Sequence, residues 1–338
     1  MSIYPAVAAA RDRFVLERRS SRPPYDPRHY HNLIVEDEPS ADGTIARSAT
    51  VFLTGRECPW RCVMCDLWQY TTADDTPLGA IPAQVAAARR TLGDRREKVS
   101  EIKLYNAGNF FDPRAVPPAD YDAIAANLAG LTRVVVESHP ALIGRRVDRF
   151  LDALNRGAGD CTESPRLEVA MGLETVHPAA LEALNKRMTV DDFDRAADRL
   201  RRSSVDLRVF LLIAPPFVPS DQQDAWILRS IDVALSCGAT VVSLIPTRTG
   251  NGAIDALARE GAFRPPDLRV VERIGDLART HVDGRGRLFV DLWDLERLAA
   301  CSSCFAERRD RLHRMNLEQT ILPRVACAEC GSSSGSAS

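Results

Sequence analysis

From residue 49 onward this chain of 338 residues repeats one theme: short apolar runs alternate with amphipathic helical stretches. The runs lie at 49–54, 101–106, 133–137, 167–172, 207–213 and 240–246, and their length and β-branched content suit buried parallel strands. Between them, Ile81–Leu92, Tyr121–Leu128, Val147–Asn155 and Asp221–Ser236 carry helical patterning. Thr189-Val190-Asp191-Asp192 is a variant capping box that opens a further helix through about Arg202. Strands that alternate with helices point to an α/β fold with a parallel sheet. Six such units predict a partial (β/α)6 barrel, an open relative of the eightfold TIM barrel, with its site at the C-terminal ends of the strands.

One loop dominates that frame. Directly after the first strand comes Gly55-Arg56-Glu57-Cys58-Pro59-Trp60-Arg61-Cys62-Val63-Met64-Cys65-Asp66, with cysteines at CxxxCxxC spacing. Three thiolates this close can converge on one centre, but structural zinc takes four ligands. An iron–sulfur cube held by three cysteines keeps its fourth iron open to an exogenous ligand. The alternative is a zinc loop completed by Asp66 or by a distant histidine. Nine cysteines without an apolar export signal in Met1 to Arg19 argue for metal or redox chemistry in a reducing, cytoplasmic compartment. No run of 18 apolar residues exists, so no membrane span is expected. With 44 Lys+Arg against 46 Asp+Glu, any attraction to nucleic acid needs a local basic face. Arg145, Arg146, Lys186, Arg187, Arg308, Arg309, Arg311 and Arg314 are the candidates, and helical spacing places Arg308 and Arg311 together.

The flanks differ from the middle. Residues 1–45 read as a helix and an extended arm around the barrel, 46–255 as the barrel, and 256–330 as a C-terminal extension. Phe289 to Ala300 reads as a strand end and a short helix. The extension carries Cys301, Cys304, Cys327 and Cys330, two CxxC pairs flanking helix-compatible Ala306–Asn316. Four soft ligands suit tetrahedral zinc or a second iron–sulfur cluster. Cys161 and Cys237 stand alone, Cys237 as a core residue, and 331–338 has the composition of a disordered linker.

The strand, the triad and the βα units that follow resemble the radical S-adenosylmethionine (SAM) superfamily. The resemblance implies a [4Fe-4S] cluster on Cys58, Cys62 and Cys65, SAM chelated at the open iron, and a 5′-deoxyadenosyl radical. It also implies SAM contacts from Met64 and from the strand ends. After the second strand these are Asn106, Gly108 and Asn109, where the superfamily has a glycine-rich turn and small residues let a ligand reach the backbone. After the third comes Glu137, an acceptor for the SAM ammonium or ribose, with a capping carboxylate as the alternative. His139, before a proline, reads as a solvent-facing loop residue. Glu174 after the fourth strand offers an acceptor to a ribose hydroxyl, and Ile245 after the sixth flanks adenine. Arg208 reads as structural.

Gly172-Leu173-Glu174 and Asn185-Lys186-Arg187 are similar to the branch that holds the Elongator catalytic subunit and the methylthiotransferases. A closer resemblance, over about residues 50–330, is to the radical SAM subunits of the archaeosine synthase family. It rests on Cys-x-Met-Cys, Asn109-Phe110-Phe111-Asp112-Pro113, Val134-Val135-Val136-Glu137-Ser138, Ala214-Pro215-Pro216-Phe217, Arg264-Pro265-Pro266 and the C-terminal cysteine pairs. It implies a lysine-modified deazaguanine in tRNA as substrate, radical C–N cleavage, a partner enzyme supplying that substrate, and ferredoxin or flavodoxin as electron donor. His139 stands where that family tends to have arginine. Alternatives are a radical SAM methylthiotransferase or peptide maturase, a transferase in place of a lyase. The first 45 residues contain no cysteine for the methylthiotransferases' extra cluster domain. In another class stands a non-catalytic zinc-binding RNA adaptor.

Overall fold

A computed structural model describes residues 3–106, 108–159 and 163–331, apart from the Asn106 side chain. The expectations for Asn106, Cys161 and the linker-like 332–338 therefore lie outside the described residues. Helix α1 (Ala8–Leu16) leads to β1 (Asn32–Pro39), which turns antiparallel onto β2 (Ile45–Leu53). The βα alternation follows: α2 (Ala80–Asp94), β3 (Glu101–Asn106), α3 (Tyr121–Ala126), β4 (Arg133–Glu137), α4 (Arg145–Ala158) and β5 (Arg166–Glu174). It continues through α5 (Pro178–Ala183), α6 (Val190–Arg202), β6 (Asp206–Ile213), α7 (Gln223–Ser236) and β7 (Ala239–Pro246). The chain closes with α8 (Ala253–Arg259), α9 (Leu268–Val282), β8 (Arg287–Val290) and α10 (Phe305–Glu318). The capping box forms as patterned: Thr189 and Asp192 exchange hydrogen bonds at the start of α6.

The eight strands pair in chain order, and β2 through β8 are all parallel. The six expected strands are β2 to β7, so the sheet extends one strand beyond them at each end. The arm contributes β1, and β8 comes from the segment expected to be an extension.

The sheet is curled. Strands about 4.8 Å apart would hold β3 and β6 roughly 14 Å apart if flat, yet the Tyr105 and Phe210 rings meet at 6.0 Å. Glu38 on β1 likewise pairs with both Lys103 on β3 and Arg208 on β6. These charges form an ionic floor inside the barrel: Glu168 takes Arg208 at 2.6 Å and Arg133 at 2.9 Å, and Arg133 also reaches Asp206. Buried ions persist only when paired this way. Arg208 is thus structural, as expected. Helix α10 covers the open side between β8 and β1, where Asn316 donates to the Val290 carbonyl and accepts its N–H.

Candidate functional site

The loop after β2 lies over the C-terminal end of the barrel and is pinned from several directions. Val63 N–H donates to the Leu184 carbonyl, and Asn185 donates to the Arg61 carbonyl at 2.8 Å. Asn251 donates to the Val63 and Cys65 carbonyls while its own oxygen takes the Ile254 N–H that opens α8. From the arm, Arg19 and Arg22 grip Glu57 at 2.7 and 2.9 Å. Every one of these bonds fixes the backbone around Cys58, Cys62 and Cys65. The three thiols are shielded, and burial pushes Cys62 up to about 12 and Cys65 well above its ordinary value. Thiols so disfavoured as free anions are suited to a centre that supplies its own positive charge.

Beside the triad, Asn109 donates from Nδ2 to Cys58 Sγ at 3.1 Å. Its Oδ1 accepts the His139 N–H at 2.8 Å. His139 is buried, a correction to its expected exposure, and its ring stacks on Trp60 of the cysteine loop at 3.8 Å. Nδ1 accepts the Ala141 N–H and Nε2 donates to the Lys186 carbonyl, an assignment that follows from the partners. Burial and the Lys186 charge hold this imidazole neutral, down to about 3. Trp60, Asn251 and His139 escaped sequence reasoning as site residues. Only the Asn251-Gly252 dipeptide at a helix start carried a local signal.

Glu174, expected on the strand end, is buried and bonded at 2.6 Å to Lys186. Lys186 is therefore no part of a basic face: its ammonium is consumed in this pair. The register slips between Gly172 and Glu174, and Glu174 has φ 66°. Gly172 leaves room that a Cβ would take from the Glu174 carboxylate and the Lys186 ammonium. Gly108 is equally constrained, since a Cβ there would overlap the Arg56 carbonyl. Left-handed conformations of Asn109, Glu174 and Ala214 stand at strand ends, and that of Asn185 follows α5, as held backbone strain does around sites.

Glu137 faces the barrel cavity, ≈ 320 Å³ in volume, walled by Phe52, Tyr105, Phe210 and Trp293. Burial raises its carboxyl to about 7; Lys186 opposes and Glu174 adds to that shift. Ile245 also lines this cavity, and with Met64 it borders a small apolar cluster around Phe14, Val63 and Leu184. Asp66 lines the cavity as well.

The second cysteine set also converges. The sulfurs of Cys301, Cys304, Cys327 and Cys330 all lie within 4.8 Å of one another, with Cys301–Cys327 at 3.9 Å and Cys304–Cys330 at 3.8 Å. Tetrahedral zinc with bonds near 2.3 Å requires sulfur–sulfur edges of about 3.8 Å, so the quartet fits one ion. Cys237, expected in the core, sits half-buried against its edge and donates to Asp194.

The expected basic face does not survive. Arg308 and Arg311 are buried, bound to Glu272 and Asp276 of α9. Arg314 pairs with Glu318, Arg187 with Asp12, and Arg146 donates to the Phe111 carbonyl. Arg145 and Arg309 remain exposed without a partner among the described residues.

No family model matches the chain. Archaeosine synthase subunit beta from Methanosarcina acetivorans is 30% identical over 240 residues, covering 67% of this chain and 65% of that protein. The match thus spans just under two thirds of that relative. An uncharacterized protein of Methanocaldococcus jannaschii is 21% identical over 263 residues, covering 73% of this chain and 69% of the other. In fold, the chain is similar to archaeal Elp3 from Methanocaldococcus infernus, with TM-score 0.52, 12% identity, and coverage of 70% and 59%. It is also similar to methylornithine synthase, with TM-score 0.50, 12% identity, and coverage of 79% and 68%.

Proposed function

We propose that this chain, a member of the radical SAM superfamily, holds a [4Fe-4S] cluster on Cys58, Cys62 and Cys65 and acts on a modified base in tRNA. When bound, the cluster and SAM supply an electron and a 5′-deoxyadenosyl radical, the hard part of the chemistry. The residues present suit that group: three shielded thiols on a rigid loop, with an amide N–H aimed at one of the sulfurs.

The protein's own part is to bind, orient and exclude water. Gly108, Glu137, Glu174 and Ile245 would border SAM at the strand ends, together with Met64. The aromatic walls of the barrel cavity would hold a flat base against the radical, and Lys186 holds the Glu174 side chain in place through their ion pair. What supports this reading is the triad's place on a loop whose next residues, Asp66 and Leu67, line that cavity, in a chain related to archaeosine synthase subunit beta. From that kinship we take radical C–N cleavage of a lysine-bearing deazaguanine, a partner subunit that supplies it, and a ferredoxin or flavodoxin donor. The C-terminal quartet is taken as zinc.

The test is anaerobic incubation of the purified chain with dithionite and SAM, reading 5′-deoxyadenosine by chromatography. Release that is lost in Cys62→Ala is expected, with coupled turnover on tRNA bearing the lysine adduct. Normal SAM cleavage by Cys62→Ala overturns the cluster assignment. Turnover of the free base as fast as tRNA overturns the substrate.

A further inference from the structure

Asn109 sits at the crossing of the cysteine loop and the β3 and β4 ends, and its amide has no freedom. Its backbone is left-handed, φ 67°, where an L residue other than Asn or Asp is disfavoured. Its carbonyl accepts the Asp112 N–H, and the next residue's N–H donates to the Glu137 carbonyl. The side chain then faces two different groups. Toward β4 stands the backbone N–H of His139, which only an oxygen can accept, so Oδ1 must point there. That places the NH₂ against Cys58 Sγ. The His139 end is itself immobile, because both ring nitrogens are engaged and Trp60 stacks across the ring.

We infer that Asn109 is a positioning residue that delivers an N–H···S hydrogen bond to the Cys58 thiolate and so sets the reduction potential of the cluster. The inference rests on the cluster reading above. Hydrogen bonds to cluster sulfurs draw electron density from the metal and stabilise the reduced form. The amide is neutral and donates at a fixed angle, so it acts without adding charge. Because both of its ends are taken, a SAM contact at this turn would fall to the backbone.

Two variants keep the left-handed backbone. Asn109→Gly removes donor and acceptor without adding charge. Asn109→Asp keeps the acceptor for the His139 N–H and replaces the donor with a second oxygen. The cluster is reconstituted in each full-length chain, iron and sulfide are counted, and the midpoint potential is read by EPR-monitored titration without SAM. Asn109→Gly is expected to make the reduction constant about three- to tenfold less favourable, and tenfold corresponds to about 59 mV for one electron. Asn109→Asp should shift it further in the same direction, because its negative charge adds to the lost donor. Should the glycine variant fail to take up iron, the aspartate variant alone decides. Full cluster content with an unmoved potential in both overturns the inference and leaves the cluster reading standing. Loss of the cluster from both overturns it too, since Asn109 would then be holding the loop. A wild-type chain that binds no cluster overturns both.

Discussion

Replacing Arg311 by methionine should destabilise the fold, not weaken a nucleic-acid contact. The side chain lies 4% exposed between α9 and α10. Nη2 reaches Asp276 at 2.7 Å and the Leu322 carbonyl at 2.7 Å, and Nε reaches the Pro323 carbonyl at 2.9 Å. Nη1 lies 3.7 Å from Glu272. Breaking a buried ion pair from one side costs about 3–5 kcal/mol. Here Asp276 keeps Arg324 and Glu272 keeps Arg308, so the stranded charges are partly compensated. That compensation argues for the lower end, about 3 kcal/mol, more than a hundredfold in the folded-to-unfolded ratio at about 1.4 kcal/mol per tenfold. The Leu322-Pro323 segment leads to Cys327, so the second cysteine pair should loosen with it. Urea unfolding at fixed zinc concentration reads the loss. Arg309→Met, on the exposed face of the same helix, should stay within about 0.5 kcal/mol. A loss below about 1 kcal/mol in Arg311→Met, with salt-dependent tRNA affinity falling instead, would refute this reasoning and restore a basic face.

The quartet should hold about one zinc per chain in protein whose Cys58, Cys62 and Cys65 are all alanine, and Cys304→Ser should lose it; iron and sulfide at the quartet would sink the single-ion geometry. Glu137 sets a pH dependence in the metal-free, SAM-free chain. Its folded carboxyl is raised from the usual 4.5 to about 7, so the folded state keeps a proton that the unfolded chain releases. Stability therefore falls as pH rises from about 4.5 to 7 and levels off above. Glu137→Gln should remove that slope, and a wild-type minus variant difference that stays flat across this range in urea midpoints would count against it.

The βα period was legible because strands buried on both faces read as unbroken apolar runs, and Val134-Val135-Val136 is the clearest of them. The triad stood out in the sequence because its three cysteines are neighbours in the chain. What escaped was polarity turned inward. Strand β1, Asn32–Pro39, carries Glu36, Asp37 and Glu38, and reads as an arm because charges are expected outside. Yet Glu38 is the acid that Lys103 and Arg208 require inside the barrel. Arg308 and Arg311 follow the same rule. Their spacing says that they share a helix face but not which way that face points. The matching mark lay on α9, where Glu272 and Asp276 stand four apart on one face. An acid pair on one helix and an arginine pair on the next are complementary halves of a buried seam. Asn109 is the harder case. Its link to Cys58 spans 51 residues and its link to His139 spans 30, so no local pattern holds either. Only the parallel pairing of β3 with β4 brings those strand ends together under the cysteine loop. The local motif thus announces the thiols, whereas the groups that touch them are assembled by the curl of the sheet.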